Sequence, residues 1–107
     1  MPTDRVALDL DAALAGRKVV VLFHATWCPF CRAFAAAFRR LAVGAAGYQP
    51  LEVLLDDDDD PLWQRFGIDL VPTVIFFDDG AITGRVDGRP GVGIDEPTFV
   101  QALESAP

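Results

Sequence analysis

The chain has few of the residues that build metal sites or that bind nucleic acid. Its 107 residues include two cysteines, one histidine and one lysine, and 16 acidic against nine basic side chains leave a net charge of −7. A tetrahedral zinc site needs four ligands, which Cys28, Cys31 and His24 cannot supply within one chain. The charge argues against a nucleic-acid partner, which calls for a basic patch, and against docking on anionic membranes.

Long apolar runs are also missing, and no stretch approaches the length of a membrane span. Because the first residues show no apolar signal-peptide core either, we expect a cytoplasmic location. Thiols stay reduced there, so a close cysteine pair is more often catalytic or metal-binding than structural. The length suits one domain over residues 1–107. With 51% apolar residues, that domain has enough material for a core without covalent staples.

The apolar periodicity predicts alternating helices and strands. We expect helices at residues 9–14, 32–43, 61–66 and 97–105, and strands at 19–24, 51–55, 73–77 and 81–86. Asp79 and Gly80 form the turn signal of a hairpin between the last two strands. This order predicts an α/β fold with one central mixed sheet and helices on both faces.

Three details of the pattern lead to further expectations. The strands at 19–24 and 51–55 are apolar without alternation, which is typical of strands buried on both faces. Phe30, Phe34 and Phe38 recur at helical spacing, so we expect them to pack in the core. The acidic run 56–60 lacks the alternating ligands and the glycine turn of a calcium loop, so we expect a solvated loop.

Both cysteines lie in the stretch Ala25 to Cys31, which reads A-T-W-C-P-F-C. A structural bridge across two intervening residues closes too short a loop to add much stability. A metal or iron–sulfur clip stays open only if two chains share it. A reactive pair has a mechanism, because the motif leads from a buried strand into a helix. Cys28 then lies at the helix N-terminus, where free N–H groups and the helix dipole stabilise a thiolate.

The two thiols are expected to have different tasks. Pro29 suits the first helical turn, where its missing N–H costs nothing. Cys31 lies one turn deeper on the same face, within reach of a disulfide. Cys28 would attack a partner disulfide as the nucleophile, and the more buried Cys31 would then attack Cys28 and release the partner. Trp27 and Phe30 would give the exposed sulfur an apolar rim.

These residues resemble the thioredoxin family. The likeness is carried by V-V-V-L-F-H-A-T-W-C-P-F-C-R and, further along, by F-G-I-D-L-V-P-T-V-I-F-F-D-D-G, and it covers nearly the whole chain. It implies a thioredoxin fold and a thiol–disulfide oxidoreductase that uses the Cys28–Cys31 dithiol and no other cofactor. Partners would be disulfide-containing proteins and a reductase as electron donor, and we expect a monomer.

The resemblance also implies how substrates bind. The family has a cis peptide bond before the proline of the V-P-T element, packed against the cysteine pair, so the bond from Val71 to Pro72 is expected to be cis. The Val71 backbone would pair with an extended substrate segment. The expected substrate-binding residues are Trp27, Pro29, Phe30, Val71 and Pro72.

Departures from the family pattern leave the direction of the reaction open. Leu22 stands where reducing members have a buried Asp that handles the proton of the deeper thiol. Val53 or, with a one-residue slip, Glu52 matches the Lys that often partners that acid. The Pro-Phe pair between the cysteines looks more like glutaredoxins or oxidising members. His24, at the end of the strand before the motif, could lie near the sulfurs, and a protonated His24 would favour the Cys28 thiolate. An oxidising or isomerising role and a non-catalytic binding module are the alternatives.

Overall fold

The computed structural model describes residues 10–43 and 47–106. Helices and strands follow each other in the predicted order. The elements are α1 (10–14), β1 (Lys18–His24), α2 (Pro29–Ala42), β2 (Gln49–Leu54), α3 (Leu62–Arg65), β3 (Thr73–Asp78), β4 (Ala81–Asp87) and α4 (Glu96–Ser105). The predicted helix start at residue 9 lies outside the described residues, as does Gly44, which directly follows the predicted helix at 32–43. None of the described helices has the length and apolarity that crossing a membrane requires.

One mixed sheet organises the fold, as predicted. Its strand order is β2-β1-β3-β4, with β1 parallel to β2 and antiparallel to β3. The hairpin β3–β4 turns at Asp79 and Gly80, which both have positive φ (51° and 83°). In the parallel pair, Leu22 lies opposite Glu52. Val53 lies opposite Phe23, so of the two residues considered from the sequence it is Glu52 that pairs with Leu22.

Helices cover both faces of the sheet. Successive side chains of β1 point to opposite faces, and because they are apolar, both faces are buried. Val21 and Phe23 belong to the buried cluster that includes α1 and α3, whereas Leu22 belongs to the cluster of α2 and α4. In the second cluster Phe34 contacts Phe99 edge-on, with 5.1 Å between ring centroids. The expected core packing of the phenylalanine stripe is confirmed for Phe34 and Phe38, which are 3% and 1% exposed. Phe30 is 41% exposed, and there the prediction was wrong.

The strand β2 is not buried on both faces, contrary to the prediction. Among the strands of residues 10–43 and 47–106 it lies at an edge of the sheet, with a neighbouring strand on one side only. Val53 is its one buried residue, and Leu54 is 38% exposed. The same kind of apolar run thus occurs in the buried central strand β1 and in the partly exposed strand β2. The position of a strand in the sheet, which the run does not encode, decides how far the strand is buried.

The acidic run 56–60 is a loop, but part of it is structured. Asp60 is buried, and its carboxylate accepts the Leu62 N–H at 3.0 Å, where α3 begins. The Asp57 carboxylate accepts the Asp59 N–H at 2.9 Å. Short acidic side chains form such local hydrogen bonds to nearby backbone groups. The expectation of a solvated loop agrees with the exposed residues 56–59 and was wrong for the buried Asp60.

Candidate active site at the Cys28–Cys31 pair

Cys28 is the N-cap of helix α2. Its backbone is extended (φ −100°, ψ 115°), and its sulfur accepts the Cys31 N–H at 3.3 Å. The sulfur thus takes the place of the side-chain oxygen that usually caps a helix. Pro29, which has no N–H, occupies the first turn as predicted. A helix-terminal N–H group is therefore directed at the Cys28 sulfur, which is the arrangement that the motif predicts.

The segment before β3 covers the Cys28 sulfur from the other side. The thiol donates a hydrogen bond to the Val71 carbonyl oxygen at 3.6 Å, and the peptide bond between Val71 and Pro72 is cis, as predicted. Because of this cover, Cys28 is only 5% exposed and not the exposed sulfur expected from the sequence. The expected order of burial is kept, since Cys31 is fully buried.

Cys31 has no contact with solvent, and this controls its ionisation. Burial raises the pKa of Cys31 to about 12, and the hydrogen bond with the Cys28 side chain adds to the effect. A hydrogen bond with the Ala25 backbone lowers the pKa, and the charge of Asp56 raises it. Cys31 is therefore protonated at neutral pH and must give up its proton before it can act as a nucleophile.

The surface around the pair is apolar. Trp27 is 57% exposed, Phe30 is 41% exposed, and Pro29 between the cysteines is exposed as well. Val71 and Pro72 are buried beside Cys28, with the Val71 carbonyl directed at the sulfur. The structure thus brings all five predicted substrate-binding residues to the cysteine pair or its adjoining helical turn and loop.

A turn that the sequence reading missed adds to this surface. Arg89 and Gly93 close it by two backbone hydrogen bonds of 3.0 and 2.9 Å, and Val92 within it is 49% exposed. Gly93 lies so close to Phe30 that a Cβ on it would be 2.9 Å from the Phe30 Cβ. The two glycines of the stretch R-P-G-V-G indicate a tight turn, but nothing local indicates that it packs beside the cysteine motif.

His24 lies at the end of β1, as expected, and contacts Glu52. Its Nε2 is 3.4 Å from a Glu52 carboxylate oxygen, and Arg39 binds the same carboxylate with two bonds of 2.8 Å. Burial lowers the pKa of His24 below 6.5, although the charge of Glu52 acts in the opposite direction. A neutral imidazole adds no positive charge near Cys28, so the suggested effect of His24 on the thiolate stays a prediction.

A second residue missed from the sequence is Asp56, which holds the loop before the motif. Its carboxylate accepts the Thr26 N–H at 2.7 Å and the Thr26 hydroxyl at 3.0 Å. The strands β1 and β2 are parallel, so their carboxyl ends meet at one edge of the sheet. The parallel pairing of these two strands could therefore have predicted that residues after β1 contact residues after β2.

Across the described ranges, no group of three or more His, Cys, Asp or Glu side chains is placed to hold a metal ion.

Comparison with known proteins agrees with this geometry. The family model Thioredoxin matches residues 7–95. A thioredoxin of Echinococcus granulosus is 33% identical over 89 residues, which are 81% of this chain and 81% of that protein.

The crystal structure of Malassezia sympodialis thioredoxin has a TM-score of 0.69 at 27% identity, covering 86% of this chain and 76% of that one. A chain in the crystal structure of the complex of ferredoxin:thioredoxin reductase and thioredoxin f2 has a TM-score of 0.72 at 22% identity, covering 90% of this chain and 83% of that one. Members of this family work through their own dithiol. The chain therefore belongs to the thioredoxin family, and it is a protein thiol–disulfide oxidoreductase.

Proposed function

We propose that the protein reduces disulfides in partner proteins, with Cys28 as the nucleophile and Cys31 as the resolving thiol. The observation that carries the proposal is the position of the Cys28 sulfur. It accepts the Cys31 N–H at 3.3 Å and contacts the Val71 carbonyl, and the exposed residues Trp27 and Phe30 lie within two positions of Cys28 in the chain. The Cys31 N–H, which donates to this capping sulfur, can stabilise the negative charge of the attacking thiolate.

The exchange takes place in two steps that move two electrons. The Cys28 thiolate bonds to one sulfur of the partner disulfide, and the other partner sulfur leaves with the electron pair. The Cys31 thiolate then bonds to Cys28, and the first partner sulfur leaves in turn. The partner is reduced to two thiols, and the Cys28–Cys31 pair is oxidised to a disulfide. No cofactor beyond this pair takes part.

The substrate surface follows from the same residues. An extended partner segment would pair with the Val71 backbone and pack on Trp27, Pro29, Phe30 and Pro72. A separate reductase would return the disulfide to the dithiol, in the way that thioredoxin f2 is seen together with a reductase. We further propose that the protein acts as a monomer in the cytoplasm, where reductases keep such dithiols reduced.

Insulin reduction tests the reaction and the roles of the two cysteines. We expect the wild type to catalyse it, Cys28→Ser to be inactive, and Cys31→Ser to accumulate a mixed disulfide through Cys28. Binding of insulin chains without turnover would instead indicate a binding module. Equilibration with glutathione tests whether the protein reduces or oxidises its partners. A reduction potential of about −270 mV is typical of a reductant, and one of about −120 mV is typical of an oxidant.

A further inference from the structure

Cys31 needs a proton acceptor, and the described residues that pack around it in its buried cluster are apolar apart from Cys28. It lies in a buried cluster with apolar neighbours such as Phe23 and Ala25. Leu22, on the adjacent strand β1, is apolar and fully buried as well. Because the pKa of Cys31 is about 12, a thiolate at this position is rare at neutral pH unless a base removes the proton. The acceptor must therefore lie just beyond this apolar layer.

The loop before the motif leads from Cys31 to one carboxylate. The Ala25 carbonyl accepts the Cys28 N–H at 3.3 Å, and the Ala25 backbone lowers the pKa of the Cys31 thiol. The next residue, Thr26, is held by Asp56 through two hydrogen bonds of 2.7 and 3.0 Å. The Leu55 N–H donates to the His24 carbonyl at 2.7 Å, which joins the two loops at their start. Asp56 is thus fixed beside the backbone that contacts Cys31, while its exposed position lets it exchange protons with water.

We propose that Asp56 is the proton acceptor for Cys31 and that it acts through a water molecule between the carboxylate and the thiol. The proposal rests on the reducing function argued above. A carboxylate has about four lone-pair sites, so the two bonds from Thr26 leave room for a water molecule to donate a further one.

Electrostatics favours this transfer. Asp56 is the carboxylate whose charge acts on Cys31, and two negative charges close together repel each other. When the proton moves from Cys31 through water to Asp56, the site holds one negative charge and not two. The Cys31 sulfur then bonds to Cys28, the bond between Cys28 and the partner sulfur breaks, and that sulfur leaves with the electron pair. Asp56 returns the proton to the leaving thiolate or to solvent.

The other ionisable groups near Asp56 are less suited to the task. A groove of about 470 Å³ next to it contains Thr26 and three ionisable side chains, His24, Arg32 and Arg39. The two arginines carry no basic lone pair at neutral pH. The His24 ring is engaged with Glu52 at 3.4 Å on the neighbouring strand. His24 is therefore the competing acceptor that an experiment must separate from Asp56.

A single-turnover reaction with a chromogenic aromatic disulfide separates the two steps. Each step releases one coloured thiolate, the first when Cys28 attacks and the second when Cys31 resolves the mixed disulfide. We expect Asp56→Asn to slow the second release at neutral pH by on the order of 10²-fold, the size of a lost general base, and to spare the first. The deficit should shrink as the pH rises, because hydroxide then replaces the missing base.

Asp58→Asn is the matched control, because it removes the same charge from an exposed side chain of the same loop. Both of its releases should stay within about twofold of the wild type, since exposed charges are screened by salt. Thr26→Val keeps the carboxylate and removes one of its two hydrogen bonds, so it should slow the second release to a smaller extent. This variant keeps the test decisive if Asp56→Asn does not fold.

Several results would overturn the proposal. One is a second release in Asp56→Asn and Thr26→Val that is as fast as in Asp58→Asn. Another is a slowing of the second release that is equal at every pH, which indicates a purely structural effect. Slowing in His24→Gln but not in Asp56→Asn would assign the proton to His24. A wild type that shows no first release would overturn the reducing function itself, whereas a normal first release with an unaffected second one overturns only the role of Asp56.

Discussion

The Cys28 thiol donates a hydrogen bond to the Val71 carbonyl oxygen, at 3.6 Å, across 43 residues of sequence. The nucleophile is therefore placed by the segment before β3 as well as by its own helix. That segment is held in turn, because the Thr73 hydroxyl donates to the Leu70 carbonyl at 2.6 Å. Gly88, just after β4, packs against the Pro72 carbonyl. Residues remote from the motif should therefore affect the reactivity of Cys28.

Gly88→Ala should displace the segment that covers Cys28. A Cβ at this position would lie 2.4 Å from the Pro72 carbonyl oxygen, and a backbone group cannot yield as a side chain does. We expect a loss of about 1–3 kcal/mol in the free energy of unfolding, as for other overpacked sites, together with slower attack by Cys28. Chemical denaturation and the rate of insulin reduction measure the two effects.

Gly84→Ala in β4 is the control for that substitution. A Cβ there would meet the Phe76 ring at 3.6 Å, an ordinary contact. We expect little loss of stability and normal reduction of insulin. Equal effects of the two substitutions would contradict the role assigned to the contact between Gly88 and Pro72.

Gly93→Ala should disturb the apolar surface beside the cysteines through Phe30. Gly93 has a φ of +76°, and a Cβ on it would be 2.9 Å from the Phe30 Cβ. Gly91 in the same turn has a φ of +72° with nothing within 4 Å, so Gly91→Ala carries the same backbone cost of about 1–2 kcal/mol without the clash. We expect the Gly93 variant alone to raise the KM for a protein disulfide. Identical KM values for the two variants would speak against a role of Phe30 in binding.

The Cys31 thiol should resist alkylation in the folded protein. In Cys28→Ser, burial still raises the pKa of Cys31 above its ordinary 9.0, since desolvation is the largest cause of the shift. At mildly alkaline pH we expect iodoacetamide to modify Cys31 at least about tenfold more slowly than the same variant unfolded in guanidinium, because only the thiolate reacts. Mass spectrometry of timed samples gives both rates. Similar rates in the two states would mean that burial does not protect the thiol.

His24 should make the fold less stable as the pH falls. Because burial lowers its pKa in the folded state below 6.5, the unfolded chain binds a proton first when the pH drops through 6.5. Stability attributable to His24 is therefore complete above that pH and decreases below it. Denaturation midpoints of the wild type and of His24→Gln, measured at a series of pH values, should converge as the solution is acidified. A constant gap between the two would contradict a depressed pKa.

Much of the site was readable from short stretches of sequence. A β-branched apolar run followed by W-C-P-F-C and a helical stripe of phenylalanines predicts a strand, a reactive helix N-terminus and a buried face. The structure has all three in β1, Cys28 and α2. The cis bond before Pro72 and the turn at Asp79 and Gly80 were likewise predicted and are present. The turn depends on residues that are neighbours along the chain, where propensity and spacing act directly, whereas the cis bond was implied by the resemblance to the thioredoxin family.

The remaining features depend on contacts between distant residues. The partnership of Asp56 with Thr26, the placement of Glu52 opposite Leu22 and the packing of Gly93 on Phe30 span 30 or more positions. The first two follow from the pairing of β1 with β2, in which a one-residue shift of register would turn each side chain of the shifted strand to the opposite face of the sheet. The third follows from the packing of a turn against helix α2. Local pattern therefore specified the reactive thiol pair, whereas long-range pairing of the chain selected the groups that surround it.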